Sequence, residues 1–149
     1  MDMKFSLELP RETLSVPVIR RVLGDTLRAL GVTEDCASDI LVATSEACTN
    51  ALHHGGPDRR YEVGVRIGEA NCLLKVVDRG EGFDPADIPD TPKDAEGGRG
   101  LELMRALVDD VSVDSAPESG TVVYLQKHLN WTQDAAMARL RPEPVCPAG

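Results

Sequence analysis

The chain is 149 residues long and 42% hydrophobic, enough for one domain with a genuine core and too apolar for wholesale disorder. Its formal net charge of -9 argues against nucleic acid and anionic membrane as main partners, since both reward basic patches. Aromatic residues make up only 3%, so the core has to be aliphatic and stacking platforms for bases are not expected.

Met3 to Leu9 alternates apolar and polar residues, as a half-buried strand does, and Pro10 closes it. Ser15 is placed to cap a helix with Pro17 in its first turn. Val18, Ile19, Val22, Leu23, Thr26, Leu27 and Leu30 then recur at helical spacing until Gly31, opposite a solvated or partner-facing side of Arg20, Arg21, Asp25 and Arg28. Thr33 opens a second helix, acidic in its first turn, that runs to about His53 and stops at Gly55, Gly56 and Pro57. Tyr61 to Ile67 and Cys72 to Val77 read as the two arms of a hairpin turning through Gly68 to Asn71.

A long stretch rich in glycine, proline and aspartate, Asp78 to Gly98, follows; loops of that length in small domains are usually functional. Leu101 to Val108 reads as a short helix, and Val111 to Ser115 and Thr121 to His128 as two further strands. Residues 1–129 form the expected domain, and 130–149, with three prolines, a tail that begins helical and then frays. Cys36, Cys48, Cys72 and Cys146 form no CxxC pair and are expected as free thiols, the first three buried. With no signal-peptide pattern and no apolar run of about 18 residues, a soluble cytoplasmic protein is expected.

The order β-α-α-β-β-loop-α-β-β predicts an α+β two-layer sandwich, with a mixed, mainly antiparallel sheet and helices on one face. Neither a GxGxxG after the first strand nor a GxxxxGK[ST] is present.

Three strings carry the chemistry: EACTNALHH from Glu46, DRGEG from Asp78 and GGRGL from Gly97. Glu46, Asn50 and His54 are spaced by four and share one helix face. A carboxamide oxygen can ligate Mg2+ without adding charge beside a triphosphate, and a carboxylate one turn away can take a proton from an attacking hydroxyl. The same spacing also describes an ordinary polar stripe. Asp78, at a strand end, can accept from the exocyclic amine of adenine, with Gly80 and Gly82 letting backbone approach the flat base; an ordinary aspartate–glycine turn has the same composition. Gly97, Gly98 and Gly100 feed a helix N-terminus and expose N–H groups to an anion, with Arg99 and Lys93 able to add charge. Thr121 can serve the base side, or simply favour a strand. His53 and His54 point about 100° apart, so at most one faces a pocket and no histidine metal pair is expected.

On these residues the chain resembles the GHKL ATPases, and most closely the bacterial anti-sigma-factor serine kinases. Glu46-x-x-x-Asn50 is similar to their N-box, Asp78-x-Gly80-x-Gly82 to their first glycine box and Gly98-x-Gly100 to their second. The resemblance, from about Met3 to Leu129, implies a Bergerat-type ATP pocket, a histidine-kinase-like ATPase domain. In it Glu46 is the catalytic base, Asn50 holds Mg2+ and Asp78 reads adenine. Gly80 and Gly82 back the base, and Gly97, Gly98 and Gly100 line the phosphates, with Arg99, Leu101 and Thr121 also at the nucleotide. Asp84 to Glu96 would be the ATP lid.

With no dimerisation helix carrying a phospho-accepting histidine ahead of it, the domain is not expected to be a complete sensor histidine kinase. The resemblance implies instead transfer to a serine or threonine of an anti-anti-sigma protein, sequestration of a sigma factor, and a homodimer. Several of those kinases carry a basic residue where this chain has Glu96. That difference motivates the alternative of a nucleotide-gated binding module with little catalysis.

Overall fold

The computed structural model describes residues 1–54, 60–78, 96–116 and 120–140. The elements run β1 (Met3–Pro10), α1 (Ser15–Leu30), α2 (Glu34–His54), β2 (Arg60–Ile67), β3 (Asn71–Asp78), α3 (Glu96–Leu107), β4 (Asp110–Ala116), β5 (Gly120–His128) and α4 (Gln133–Leu140). The five strands form one sheet in the order β1-β2-β3-β5-β4. Each of its four ladders is antiparallel, so the sheet is purely antiparallel among the described residues rather than mixed.

Register explains how one sheet face becomes core. Phe5, Val65, Leu74, Leu125 and Val111 stand opposite one another in turn across all five strands. Two residues along, Leu7, Val63, Val76, Val123 and Val113 form a second row. Side chains alternate with period two, so both rows face the helices while Lys4, Ser6, Glu8, Arg66, Lys75, Tyr124, Ser112 and Asp114 face outward and are exposed. The third row changes chemistry. Leu9 faces Tyr61 on one side, and Asp78, Thr121 and Ser115 face one another on the other. The apolar face therefore ends in a polar margin at one end of the sheet.

Helix α1 buries Ile19, Leu23 and Leu27, a narrower stripe than the periodicity suggests. Val18 and Val22 are 47% and 36% exposed, because the contact with α2 follows a single ridge. Gly31 adopts φ 94°, and its N–H closes the helix on the carbonyls of Leu27 and Arg28. Ser15 does not cap α1. It lies inside the helix and is buried, its hydroxyl donating to the Glu12 carbonyl and bonding the Tyr61 hydroxyl, while Leu14 stands at the N-cap without a side-chain hydrogen bond.

Helix α2 touches α1, α3, β3 and β5. Ala43, Ala47 and Ala51 form a buried ridge of small side chains along it, with Thr44 and Cys48 buried beside them. Cys36, Cys48 and Cys72 are buried free thiols, and Cys146 lies outside the described residues.

The stretch after β5 is stitched to the domain before residue 141. Thr33 N–H donates to Asn130 O at 2.9 Å, Thr132 N–H to Gly31 O at 2.7 Å and Trp131 Nε1 to Glu69 O at 2.8 Å. Helix α4 then lays Ala135 against Gly31. Among the described residues no helix is long and apolar enough to cross a membrane.

Candidate functional site

Glu46 and Asn50 lie one turn apart on α2, both half-buried, on the flank that meets α3. From α3 a glycine comes close to both. A methyl group built on the Cα of Gly100 would stand 3.2 Å from Glu46 Oε2 and 3.4 and 3.5 Å from the Asn50 carboxamide atoms. Two polar side chains and a helix-start backbone thus meet where any larger residue would intrude.

The structure alters the expected helix boundary here. Helix α3 begins at Glu96, not Leu101, so Gly97, Gly98 and Arg99 fall in its first turn and Gly100 opens the second, instead of leading into the helix. The first N–H groups of a helix have no intrahelical acceptor, and glycines leave them approachable. A helix start of this kind can accept an anion, and a carboxylate and a carboxamide lie near it. Leu101 is partly buried and packs against the hydrophobic core.

A second polar group forms at the margin of the sheet. Asp78, the last residue of β3, is 4% exposed on the helix-facing side. Thr121 stands opposite it on β5, and its Oγ1 lies 2.8 Å from Ser115 Oγ on β4. Gly120, at φ 90°, opens β5 just before that threonine. Arg11, two residues beyond Leu9, sends its Nη2 to Asp78 Oδ1 in an ion pair that is nearly solvent-free on both sides. Tyr61 completes the margin. Burial pushes its hydroxyl up to about 12 against the opposing pull of its bond to Ser15, and burial pushes the neighbouring Cys48 thiol up to about 12.

Glu46, Asn50 and Gly100 are therefore brought together, as are Asp78 and Thr121. Gly80, Gly82, Lys93 and Asp84 to residue 95 lie outside the described residues. His53 is exposed at the end of α2. Sequence reasoning missed Arg11 and Ser115. Ser115 was within reach, because the β4–β5 hairpin register sets it opposite Thr121. Nothing local marks Arg11, whose partner is 67 residues away.

The donor set suits a nucleotide with a hard cation. Among the described residues no three His, Cys, Asp or Glu side chains gather into a cage. Mg2+ is commonly held by one or two protein oxygens together with phosphates, which is what a lone carboxamide oxygen beside an anion-accepting helix end can offer.

An antiparallel sheet with helices on one face, a polar strand-end margin and a Glu/Asn helix face against a glycine turn define an α+β sandwich with its candidate site at one end of the sheet. Residues 9–127 match the histidine kinase-like ATPase domain, and the chain belongs to that family. It is similar to the serine-protein kinase RsbW of Bacillus velezensis, 38% identical over 137 residues covering 83% of this chain and 84% of the relative. It is also similar to the anti-sigma F factor of Bacillus subtilis, 29% identical over 139 residues covering 87% and 92%. In fold it resembles the RsbU and RsbW domains of a Mycobacterium tuberculosis protein, with a TM-score of 0.68 at 23% identity over 85% of this chain and 32% of that one. A histidine kinase domain from Erythrobacter litoralis gives a TM-score of 0.52 at 19% identity, over 90% of this chain and 67% of that one.

Proposed function

We propose that the chain is an ATP-dependent serine/threonine protein kinase and anti-sigma factor, phosphorylating an anti-anti-sigma protein and sequestering a sigma factor. The observation that carries the reading is the approach of Gly100 to Glu46 and Asn50. Relatives named serine-protein kinase and anti-sigma factor support it. We assign it to the cytoplasm and to a homodimer, on the same kinship.

In this reading the first turn of α3, with Gly97, Gly98 and Arg99, receives the phosphates on its N–H groups, and Gly100 lines them from the next turn. Leu101 follows at the same helix end, and Gly80 and Gly82 back the base. Asn50 holds Mg2+, whose charge offsets the negative charge that builds on the phosphoryl oxygens. Asp78 accepts from the exocyclic amine of adenine, and Thr121 stands beside it. Glu46 accepts the proton of the acceptor hydroxyl as its oxygen bonds to the γ-phosphorus and the bond to the β–γ bridging oxygen breaks, releasing ADP.

The test is direct. Purified protein with Mg-ATP and the candidate antagonist proteins encoded beside it should yield phosphoserine or phosphothreonine on one of them. No phosphorylation of any such candidate, with nucleotide binding intact, overturns the kinase reading in favour of a nucleotide-gated binding module.

A further inference from the structure

Asp78 is a buried carboxylate on the central strand of the sheet, and Arg11 is what the fold sends to meet it. The two come from different ends of the margin. Arg11 follows the edge strand β1, whose last described partner is Arg60, so its side chain passes the start of β2 to reach the end of β3. The turn that carries it is itself fastened: Glu12 N–H donates to Pro10 O at 2.8 Å and Ser15 N–H to Glu12 O at 3.0 Å. Ser15 then ties the turn to Tyr61 in the same margin. Both charged groups are close to dry, with side-chain exposures of 11% for Arg11 and 5% for Asp78.

A carboxylate at a strand end has two rotatable bonds and, without a partner, several orientations. A guanidinium held against one oxygen narrows that choice. A carboxylate offers about four acceptor positions, so accepting from Arg11 is compatible with accepting from a base. Preorganised acceptors bind better because less rotamer freedom is lost on binding.

We infer that Arg11 is a positioning residue for nucleobase recognition, acting through Asp78 to aim its carboxylate at the exocyclic amine of a purine. This rests on the reading of Asp78 as the base acceptor, and the experiment separates the two. ATP and purine riboside triphosphate, which lacks the exocyclic amine, are titrated by calorimetry into the wild type, Arg11→Ala, Arg11→Lys, Asp78→Asn and the double variant Arg11→Ala/Asp78→Asn.

The expected results are a loss of about tenfold in ATP affinity for Arg11→Ala, the scale of one charge-assisted hydrogen bond, with partial recovery in Arg11→Lys. Affinity for the amine-free nucleotide should stay at the wild-type level, and Arg11→Ala should cost nothing further in the Asp78→Asn background. Equal losses for both nucleotides would make Arg11 merely structural and overturn the inference, as would unchanged ATP affinity in Arg11→Ala. If Asp78→Asn weakens ATP while Arg11→Ala does not, only the inference falls. If Asp78→Asn leaves ATP affinity unchanged, the base-acceptor reading itself fails. Should Arg11→Ala leave Asp78 without its buried partner and unfold, Arg11→Lys decides, compared with Asp78→Asn and with the double variant, which has no buried carboxylate to strand.

Discussion

Gly100→Ala separates the site from the scaffold more cleanly than removal of a charged residue would. Gly100 lies in the first turns of α3, where alanine is about 1 kcal/mol better than glycine by helix propensity. Against that gain stands the contact at 3.2 Å with Glu46 Oε2 and those at 3.4 and 3.5 Å with Asn50. These neighbours are side-chain tips, able to give by a few tenths of an ångström, so overpacking costs about as much as propensity returns. The net change in unfolding free energy should stay within about 1 kcal/mol. Function has no such compensation. The methyl group presses on the pair on α2 and displaces it. A misplacement of about 1 Å can cost on the order of 100-fold in rate, so a shift of a few tenths of an ångström should lower kcat/KM for phosphoryl transfer by about 10-fold, with weakened Mg-ATP binding. Urea unfolding, calorimetry with Mg-ATP and a phosphorylation time course measure the three quantities on one preparation. Wild-type transfer and wild-type Mg-ATP affinity in a folded Gly100→Ala protein would refute the claim that the α2–α3 contact is the phosphate end of the site.

The two residues facing that glycine should separate by role. Glu46→Ala should lower transfer by about 100-fold or more while leaving Mg-ATP affinity within about threefold, whereas Asn50→Ala should weaken Mg-ATP and erase the difference between binding with Mg2+ and with a chelator present. Identical phenotypes in the two variants would contradict the assignment. Gly31→Ala should destabilise by about 2 kcal/mol or more in urea, because φ 94° is a left-handed conformation and the added methyl meets Ala135 of α4; an unchanged midpoint would contradict both the left-handed cap and the seating of α4. Burial also raises the Cys72 thiol from an ordinary 9.0 to about 12. The unfolded chain then releases that proton first as pH rises, so stability present below the ordinary value is lost between it and the folded one. At about pH 10 the loss is about 1.4 kcal/mol relative to about pH 8, and Cys72→Ala should remove that share of the alkaline sensitivity. An unaltered pH slope would show that the thiol is hydrated.

What could be read from the sequence follows from what is local. Strand alternation and the glycine stop at Gly31 are set by neighbours within a few residues, and the strands and first helix fall where the periodicity places them. The face of α1 does not. Val18 and Val22 satisfy an apolar helical pattern yet remain exposed, because how much of a stripe is covered depends on the width of the partner helix. The start of α3 was misplaced for a related reason. Glycines are poor helix formers, so Gly97 to Gly100 look like an approach to a helix, while packing against α2 makes them its start. Glu46 and Asn50 were legible through spacing on one helix, whereas Arg11 was not, because its pairing with Asp78 is created only when the edge and centre of the sheet come together.

That difference bears on how the site is built. Glu46 and Asn50 each immediately precede a member of the buried alanine ridge, Ala47 and Ala51. The residues that let α2 sit close to its neighbours and the residues assigned to chemistry are therefore interleaved on one helix. The depth at which α2 packs sets the distance from Glu46 and Asn50 to Gly100. At the other end Asp78, Thr121 and Ser115 continue the register of two apolar rows, so the base end inherits its geometry from the sheet. The two ends are held by different parts of the core, one by helix packing and one by strand pairing. Met104 of α3 lies in the same buried core as Val76, Val123 and Leu125 of the strands, so one core joins the two.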